Sequence, residues 1–318
     1  MEYHKPVMLE ECLEGLDIRP DGTYVDVTFG GGGHSRAILS RLGEGGHLYA
    51  FDQDADAEVE SEKLKEEAYA ARFTFIHENF RHMKNFLRLH GVRQVDGILA
   101  DLGVSSHQLD EGARGFSTRF EGELDLRMDR RNEVTARALV NSADEGELTR
   151  LLRLYGELPN ASQMAHAIVR SRNEREIVTT FDLRDAVSRC LPKGKENKVL
   201  AMLFQALRIE VNGELEALKA LLQQSVEILK PVAGSPDDSQ GGGRLVVISY
   251  HSLEDRLVKN FMRTGNIEGE LKKDFYGNVL SPIEPVVRKA LTASDAEQAE
   301  NPRSRSARLR IGRRRIEN

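Results

Sequence analysis

The feature that most constrains this chain is an alternation. Over the first hundred residues, short apolar and β-branched runs take turns with helix-like ones. YVDVT (24–28) reads as a buried strand, SRAILSRL (35–42) as a helix and HLYAFD (47–52) as a second strand. A polar, Glu-rich helix over 54–70 leads to FTFIHEN (73–79), a third strand. RHMKNFLRLHG is a helix that stops at Gly91, and VDGILADLG (95–103) is a fourth strand. Such repetition closes through right-handed crossovers, which predicts an α/β fold with a doubly wound, mostly parallel sheet.

The alternation stops near residue 107. Residues 107–132 are rich in Gly, Asp, Glu and Arg and read as a long loop, and 134–190 reads as helical throughout, with Thr180 or Asp182 placed to cap its last helix. The expected organisation is a discontinuous α/β domain, 1–106 with 201–318, interrupted by an all-helical insertion, 107–200. A long amphipathic helical stretch after 197 is ended by Pro231 and Gly234, and SPDDSQGGG (235–243) is a surface loop. RLVVISY (244–250) returns to the sheet, and PVVRKAL (285–291) with ARLRIG (307–312) form an expected antiparallel pair at its edge.

Between the first strand and its helix lies TFGGGGHS (28–35). Glycine permits a tight turn and lets a ligand approach the main chain, and the helix behind it presents free N–H groups. Asp52 ends the second strand, where a carboxylate can accept from both hydroxyls of a ribose. Each feature alone has a bland reading, a surface turn and a strand-end cap; together they point to an adenosine-type ligand. The dinucleotide pattern needs a third glycine, and Ser35 stands in its place. Asp26 late in the first strand and Asp101 at the end of the fourth favour S-adenosylmethionine over a nicotinamide dinucleotide.

Composition removes other classes. No apolar run approaches the roughly 20 residues that span a bilayer. The opening MEYHKPVMLEE lacks the apolar core of a secretory leader. Two cysteines, Cys12 and Cys190, make a disulfide framework improbable, so a reducing, cytoplasmic setting is expected. There is no Cys/His cluster of metal-ligand spacing and no G-x-S-x-G elbow of a hydrolase. Net charge is −6, but NPRSRSARLRIGRRRIEN gathers arginines that suit phosphates or a solubilising tail equally well.

Taken in order, HKPVMLEECLEGL, VDVTFGGGGHSRAIL, ADLGVSSHQLDEGARGFSTR, LDLRMD, FQALRIEVNGEL, ISYHSLEDRLVKNFM and NPRSRSARLR closely resemble the bacterial 16S ribosomal RNA (cytosine-N4)-methyltransferases. The resemblance covers nearly the whole chain, and DLGVSS, RGFS and SYHSLEDR are its most specific parts. It implies a class I S-adenosylmethionine-dependent, Rossmann-like fold with a helical substrate-recognition insertion. The implied activity is methyl transfer to N4 of a cytidine near the decoding centre of the small ribosomal subunit, with 16S rRNA as partner, no membrane and no metal. Carried over by motif, the cofactor positions fall on Gly32, Gly33, His34, Asp52, Phe80, Asp101 and Gln108. The chain departs from the family at His107, where proline is usual, before FQALR, and in YGELPN. A methyltransferase for another substrate and a non-catalytic assembly factor keeping the cofactor pocket are the competing readings. Monomer and homodimer remain open.

For the chemistry, Asp101 or the carbonyls of Leu102 and Gly103 are the candidates to accept a hydrogen bond from the cytosine amine. Ser105 and Ser106 either bond the base edge or cap the next turn. His251 either faces the substrate or hydrogen-bonds Glu254 or Asp255. Phe80 either stacks on adenine or belongs to the core. Phe116 and Tyr250 are candidate stacking groups. Arg114, Arg119, Arg127 and the C-terminal arginines are candidates for phosphates, with an Asp125 or Asp129 ion pair as the alternative for Arg127.

Overall fold

The structure, a computed structural model, describes residues 6–232, 242–277 and 279–315, without the side chains of 67, 68 and 106. The expected loop around 235–241, together with Gly234, lies outside the described residues.

Seven strands form one sheet: β1 (Thr23–Asp26), β2 (His47–Phe51), β3 (Phe73–Ile76), β4 (Gly97–Asp101), β5 (Arg244–Ser249), β6 (Ile283–Pro285) and β7 (Arg308–Arg314). Their order is β3-β2-β1-β4-β5-β7-β6. The first five are parallel, and β7 runs antiparallel to both of its neighbours. All five parallel strands therefore deliver their carboxyl ends to one edge. The order reverses beside β1, between β2 and β4, which is where an open α/β sheet leaves a crevice for a ligand.

Strand side chains alternate between faces, and both faces here are apolar. Leu48, Ala50, Leu99, Val246 and Ile248 enter one buried cluster, and Val25, Tyr49, Phe51, Ile98, Ala100, Leu245 and Val247 enter the other. Helices cover them: α1 (Leu9–Leu16), α2 (Gly33–Arg41), α3 (Ala55–Leu64) and α4 (Met83–Leu89) before the insertion, and α11 (Glu214–Ile228) and α12 (Ser252–Thr264) after it; the short α13 (Asp295–Glu300) that follows them buries none of its residues. Burying one such aliphatic side chain is worth about 1.5–3 kcal/mol, so each strand is held mainly by its two-sided burial.

The expected antiparallel edge pair exists but is offset. Of PVVRKAL, only Pro285 lies in β6. The next residue, Val286, still donates to the Ile311 carbonyl at 2.9 Å, and a bridge joins Leu291 to Leu309.

The chain separates into two compact units, Met1–Gly103 with Leu215–Asn318, and Val104–Glu214. The second holds α5 (Ser106–Asp110), α6 (Ala136–Ser142), α7 (Glu145–Leu154), α8 (Ala161–Glu174), α9 (Thr180–Val187) and α10 (Glu196–Asn212). The expected return at residue 201 is thus displaced to 215. The cause is α10, whose Leu200, Leu203, Phe204 and Leu207 are buried with Leu139, Leu148 and Ile168 of the helical unit. Its α5 and the 3₁₀ turn at 112–114 break the expected loop. That segment is pinned from within: Met128 N–H donates to Oδ1 of buried Asn212 at 2.7 Å, and Asn212 donates to the Leu126 carbonyl at 2.8 Å. Thr179, rather than Thr180 or Asp182, caps α9, with Asp182 completing the reciprocal capping box.

Candidate functional site at the sheet edge

The site is built from the ends of β1, β2, β4 and β5. After β1 the chain turns through Gly30 and Gly32, both at positive φ (52° and 74°), conformations that suit glycine. The turn is closed by Gly32 N–H donating to the Phe29 carbonyl at 2.8 Å. At Gly33 a Cβ would collide with Pro6 at 2.4 Å, whereas at Gly31 it would meet nothing within 4 Å. Three glycines thus serve the turn's own geometry, and Gly31 faces open space.

Asp26 ties this turn to the sheet. Its Oδ2 accepts from Ser35 Oγ at 2.7 Å and its Oδ1 from Thr28 N–H at 3.1 Å, and it is 1% exposed. Ser35, the residue that breaks the dinucleotide glycine pattern, is therefore an anchor of α2 on β1. Thr28 passes the connection on, its hydroxyl oxygen accepting from Asp101 N–H at 2.7 Å. Asp52 accepts from Gly30 N–H at 2.7 Å and Asp54 N–H at 2.9 Å. The ribose candidate and the glycine turn thus form one hydrogen-bonded unit.

Two side chains from other elements approach the Asp101 carboxylate. Tyr250 Oη donates to its Oδ1 at 2.7 Å, and His34 Nδ1 stands 3.8 Å from its Oδ2. His34 Nε2 is 3.1 Å from the Val7 carbonyl, so that nitrogen carries the donated proton. The Asp101 side chain is 24% exposed, enough to meet a ligand.

Burial pushes all three carboxyls upward. Asp26 is raised by desolvation against His34 and Ser35, and Asp101 by desolvation against His34 and Tyr250. Asp52 is pushed up to about 6 by desolvation, although the Asp54 and Gly30 amides favour its charge. A site lined by carboxylates suits a cationic ligand carrying a free diol and opposes a pyrophosphate. With open space over Gly31, these residues fit S-adenosylmethionine.

Phe80 opens the 3₁₀ turn after β3; it is partly buried and packs on the core beneath the sheet. Asn79, Gln53 and His77 tie that turn to the end of β2, with Asn79 Nδ2 donating to Gln53 Oε1 at 2.6 Å.

SYHSLEDR resolves into separate tasks. His251 caps α12, its Nδ1 accepting from Glu254 N–H at 3.4 Å, which is the second of its two expected parts. Glu254 is 3% exposed and accepts from Tyr250 N–H at 2.9 Å. Asp255 receives a two-pronged ion pair from Arg310, at 2.7 and 3.1 Å. Tyr250, expected as a stacking group, instead aims its hydroxyl at Asp101. Nothing in the sequence linked those two residues.

Several expected nucleic-acid contacts are structural. Phe116 is buried in the helical core. Arg114 is 3% exposed and donates to the Arg127 and Met128 carbonyls at 3.0 and 3.1 Å. Arg127 pairs with Asp125 at 2.7 and 2.9 Å. Arg313 and Arg315 pair with Glu284, and buried Arg314 donates to the Val226 and Pro282 carbonyls at 2.9 and 3.0 Å. Arg119, Arg305 and Arg308 are exposed. Ser105 and Gln108 form the capping box of α5, Ser105 N–H donating to Gln108 Oε1 at 3.0 Å. The side chain of Ser106 lies outside the described residues.

A parallel sheet in this order with an antiparallel β7, a glycine turn after β1 and carboxylates ending β1 and β4 and following β2 define a class I S-adenosylmethionine-dependent methyltransferase. The family model described as the MraW methylase family matches residues 1–315, and the chain belongs to that family. Among relatives called ribosomal RNA small subunit methyltransferase H, the protein of Phocaeicola vulgatus is 53% identical over 313 residues, covering 98% of each chain. That of Bacteroides thetaiotaomicron is 52% identical over 311 residues, covering 98% of this chain and 97% of its own. Among solved structures, an rRNA methylase from Streptococcus thermophilus aligns over 99% of both chains at 10% identity, with a TM-score of 0.42.

Proposed function

We propose that this protein transfers the methyl group of S-adenosylmethionine to the exocyclic N4 of one cytidine in 16S ribosomal RNA of the small subunit. The observation that carries this reading is Asp101 at the end of β4, one hydrogen-bonded step from the glycine turn, in a chain more than half identical to small-subunit rRNA methyltransferases along its full length.

Bound cofactor supplies an electrophilic methyl on a sulfonium, so the reaction needs no further activation of that group. The protein must hold the amine in line and stabilise the positive charge that grows on nitrogen. The reading gives Gly32 and Gly33 the main-chain cradle, Asp52 the ribose diol and Phe80 the adenine side. His34 fixes the start of α2 beside Asp101. Asp101 accepts a hydrogen bond from the N4 amine and lies against the cation. A methylated ammonium is strongly acidic, so no separate strong base is required. Gln108, whose amide oxygen serves its own helix, enters only through the family resemblance.

The helical unit supports RNA recognition through its exposed surface: Phe120 is 54% exposed and lines a cleft of about 540 Å³, and Arg119 beside it in sequence is exposed. At the sheet edge, Arg305 and Arg308 are the exposed arginines left for phosphates.

The test is to incubate the protein and tritiated cofactor with undermethylated small subunits, free 16S RNA and a protein extract, then map the label. Label on cytosine N4 of the RNA is expected. Label confined to protein would overturn the RNA reading, and bound cofactor with no label anywhere would overturn the enzyme reading.

A further inference from the structure

Tyr250 at the sheet edge has a chemistry that the reading above does not use. It follows β5 directly, and its main chain is tied to α12. Its amide donates to buried Glu254 at 2.9 Å, the α12 cap at His251 fixes Glu254 in turn, and its ring lies 3.4 Å from where a Cβ of Gly103 would stand. Gly103 has φ +101°, so the chain leaving β4 bends where the tyrosine passes. The ring is therefore clamped with its hydroxyl 2.7 Å from Asp101 Oδ1, a bond joining residues 149 apart in sequence. A core tyrosine satisfied by any carbonyl would not need that precision of support.

We propose that Tyr250 is a positioning residue for methyl transfer: by donating to Oδ1 of Asp101 it locks that carboxylate's rotamer, leaving Oδ2 as the acceptor for the incoming amine. This rests on the reading of Asp101 as that acceptor. The local charges make the donation matter. Around Asp101, desolvation, Asp26 on β1 and Glu254 on α12 all favour the protonated carboxyl, while His34 on α2 and Tyr250 favour the ionised one. Cys12 on α1 faces the same charge and is held as a thiol by burial and by Asp101. Tyr250 itself is kept protonated, first by burial and then by the Asp101 charge, so it is a donor throughout the working range. A protonated Asp101 could still accept from the amine through its carbonyl oxygen, but it would carry no charge to balance a cation.

Tyr250→Phe keeps the ring and its clamp and removes the donor. The expected result is a roughly tenfold fall in kcat with KM and cofactor affinity changed less than about twofold. The acidic limb of the kcat–pH profile should move up by about one pH unit. The carboxyl is also read directly, in the absence of any turnover. Aspartate labelled with ¹³C at its carboxyl, assigned through Asp101→Asn, should titrate higher in Tyr250→Phe. Replacing tyrosine by a ring-fluorinated analogue strengthens the donor and should move both readouts the other way, which keeps the test available if Tyr250→Phe folds poorly. An Asp101 titration and a limb unmoved by either change would overturn the inference while the reading of Asp101 stood. Near-normal turnover by Asp101→Asn would overturn both.

Discussion

Two groups of carboxylates in this molecule are pushed to opposite sides of the ordinary carboxylate range. At the ends of β1 and β4 and just after β2, Asp26, Asp101 and Asp52 are raised by burial, and main-chain amides, hydroxyls and one histidine only partly offset it. Elsewhere burial would raise Glu284 and Asp125 too, yet hydrogen bonds from Arg313 and Arg127 hold both below the ordinary carboxylate range. The chain is not short of arginine; it pairs arginine with carboxylates at the β6–β7 edge and inside the helical unit, whereas Asp26, Asp52 and Asp101 take their hydrogen bonds from amides and hydroxyls. Where a guanidinium completes the pair, the carboxylate is scaffold. Where the compensation is left incomplete, a cation from outside completes it, and a sulfonium fits that description.

The sharpest way to break this contrast is Asp101→Asn. The change keeps shape and hydrogen bonding with Tyr250 and removes the charge. Turnover should fall by about 10²- to 10³-fold, since a preorganised group facing developing charge is worth that much. Thermal stability should hold or rise slightly, because a desolvated charge has been removed. Measured together by rate assay and calorimetry, a stable variant with near-normal turnover would place Asp101 among the scaffold.

The opposite experiment is Arg310→Ala. It leaves Asp255 half-buried and unpaired against β7, and losing one partner of such a pair costs about 2–3 kcal/mol. In denaturant melts that is roughly a 30- to 160-fold shift toward the unfolded state. Turnover per folded molecule should change less than about threefold, since Arg310 reaches the site only through Asp255 on α12. A large loss of kcat at full stability would show the two groups of carboxylates to be one system.

This division was only half legible in the sequence. The alternating apolar runs announced the sheet, and the places of Gly30–Gly33, Asp52 and Asp101 at its strand ends were legible, because strand ends and glycine turns are local in the chain. Partnerships across long separations were not local. Arg114 reads as a surface cation among GARGF and is buried against carbonyls 13 and 14 residues on. Arg310 and Asp255 are 55 residues apart, and Tyr250 and Asp101 are 149 apart. A charge in a sequence carries no record of its partner, so scaffold arginines looked like phosphate ligands. In the same way α10 carries an apolar stripe that fits either unit, and only the packed core assigns it to the helical one.

The contrast can be sharpened most finely at Asp52, whose carboxyl is pushed up to about 6. A raised value means that the free fold holds this proton more tightly than an unfolded chain does. The group therefore favours the folded state most below the ordinary carboxylate value, and that contribution is lost as pH rises through about 6. Cofactor binding has the opposite demand, because only the ionised carboxylate accepts from both ribose hydroxyls. Between pH 4 and 6, binding must expel the proton, and affinity should weaken by about tenfold per pH unit below 6. Calorimetry with the neutral product S-adenosylhomocysteine measures this without turnover and without a sulfonium charge at Asp101. Asp52→Asn should bind more weakly at pH 8 and lose the slope below 6. A wild-type affinity flat from pH 8 to 5 would mean that Asp52 serves only Gly30 and Asp54, as a scaffold carboxylate held by amides instead of arginine.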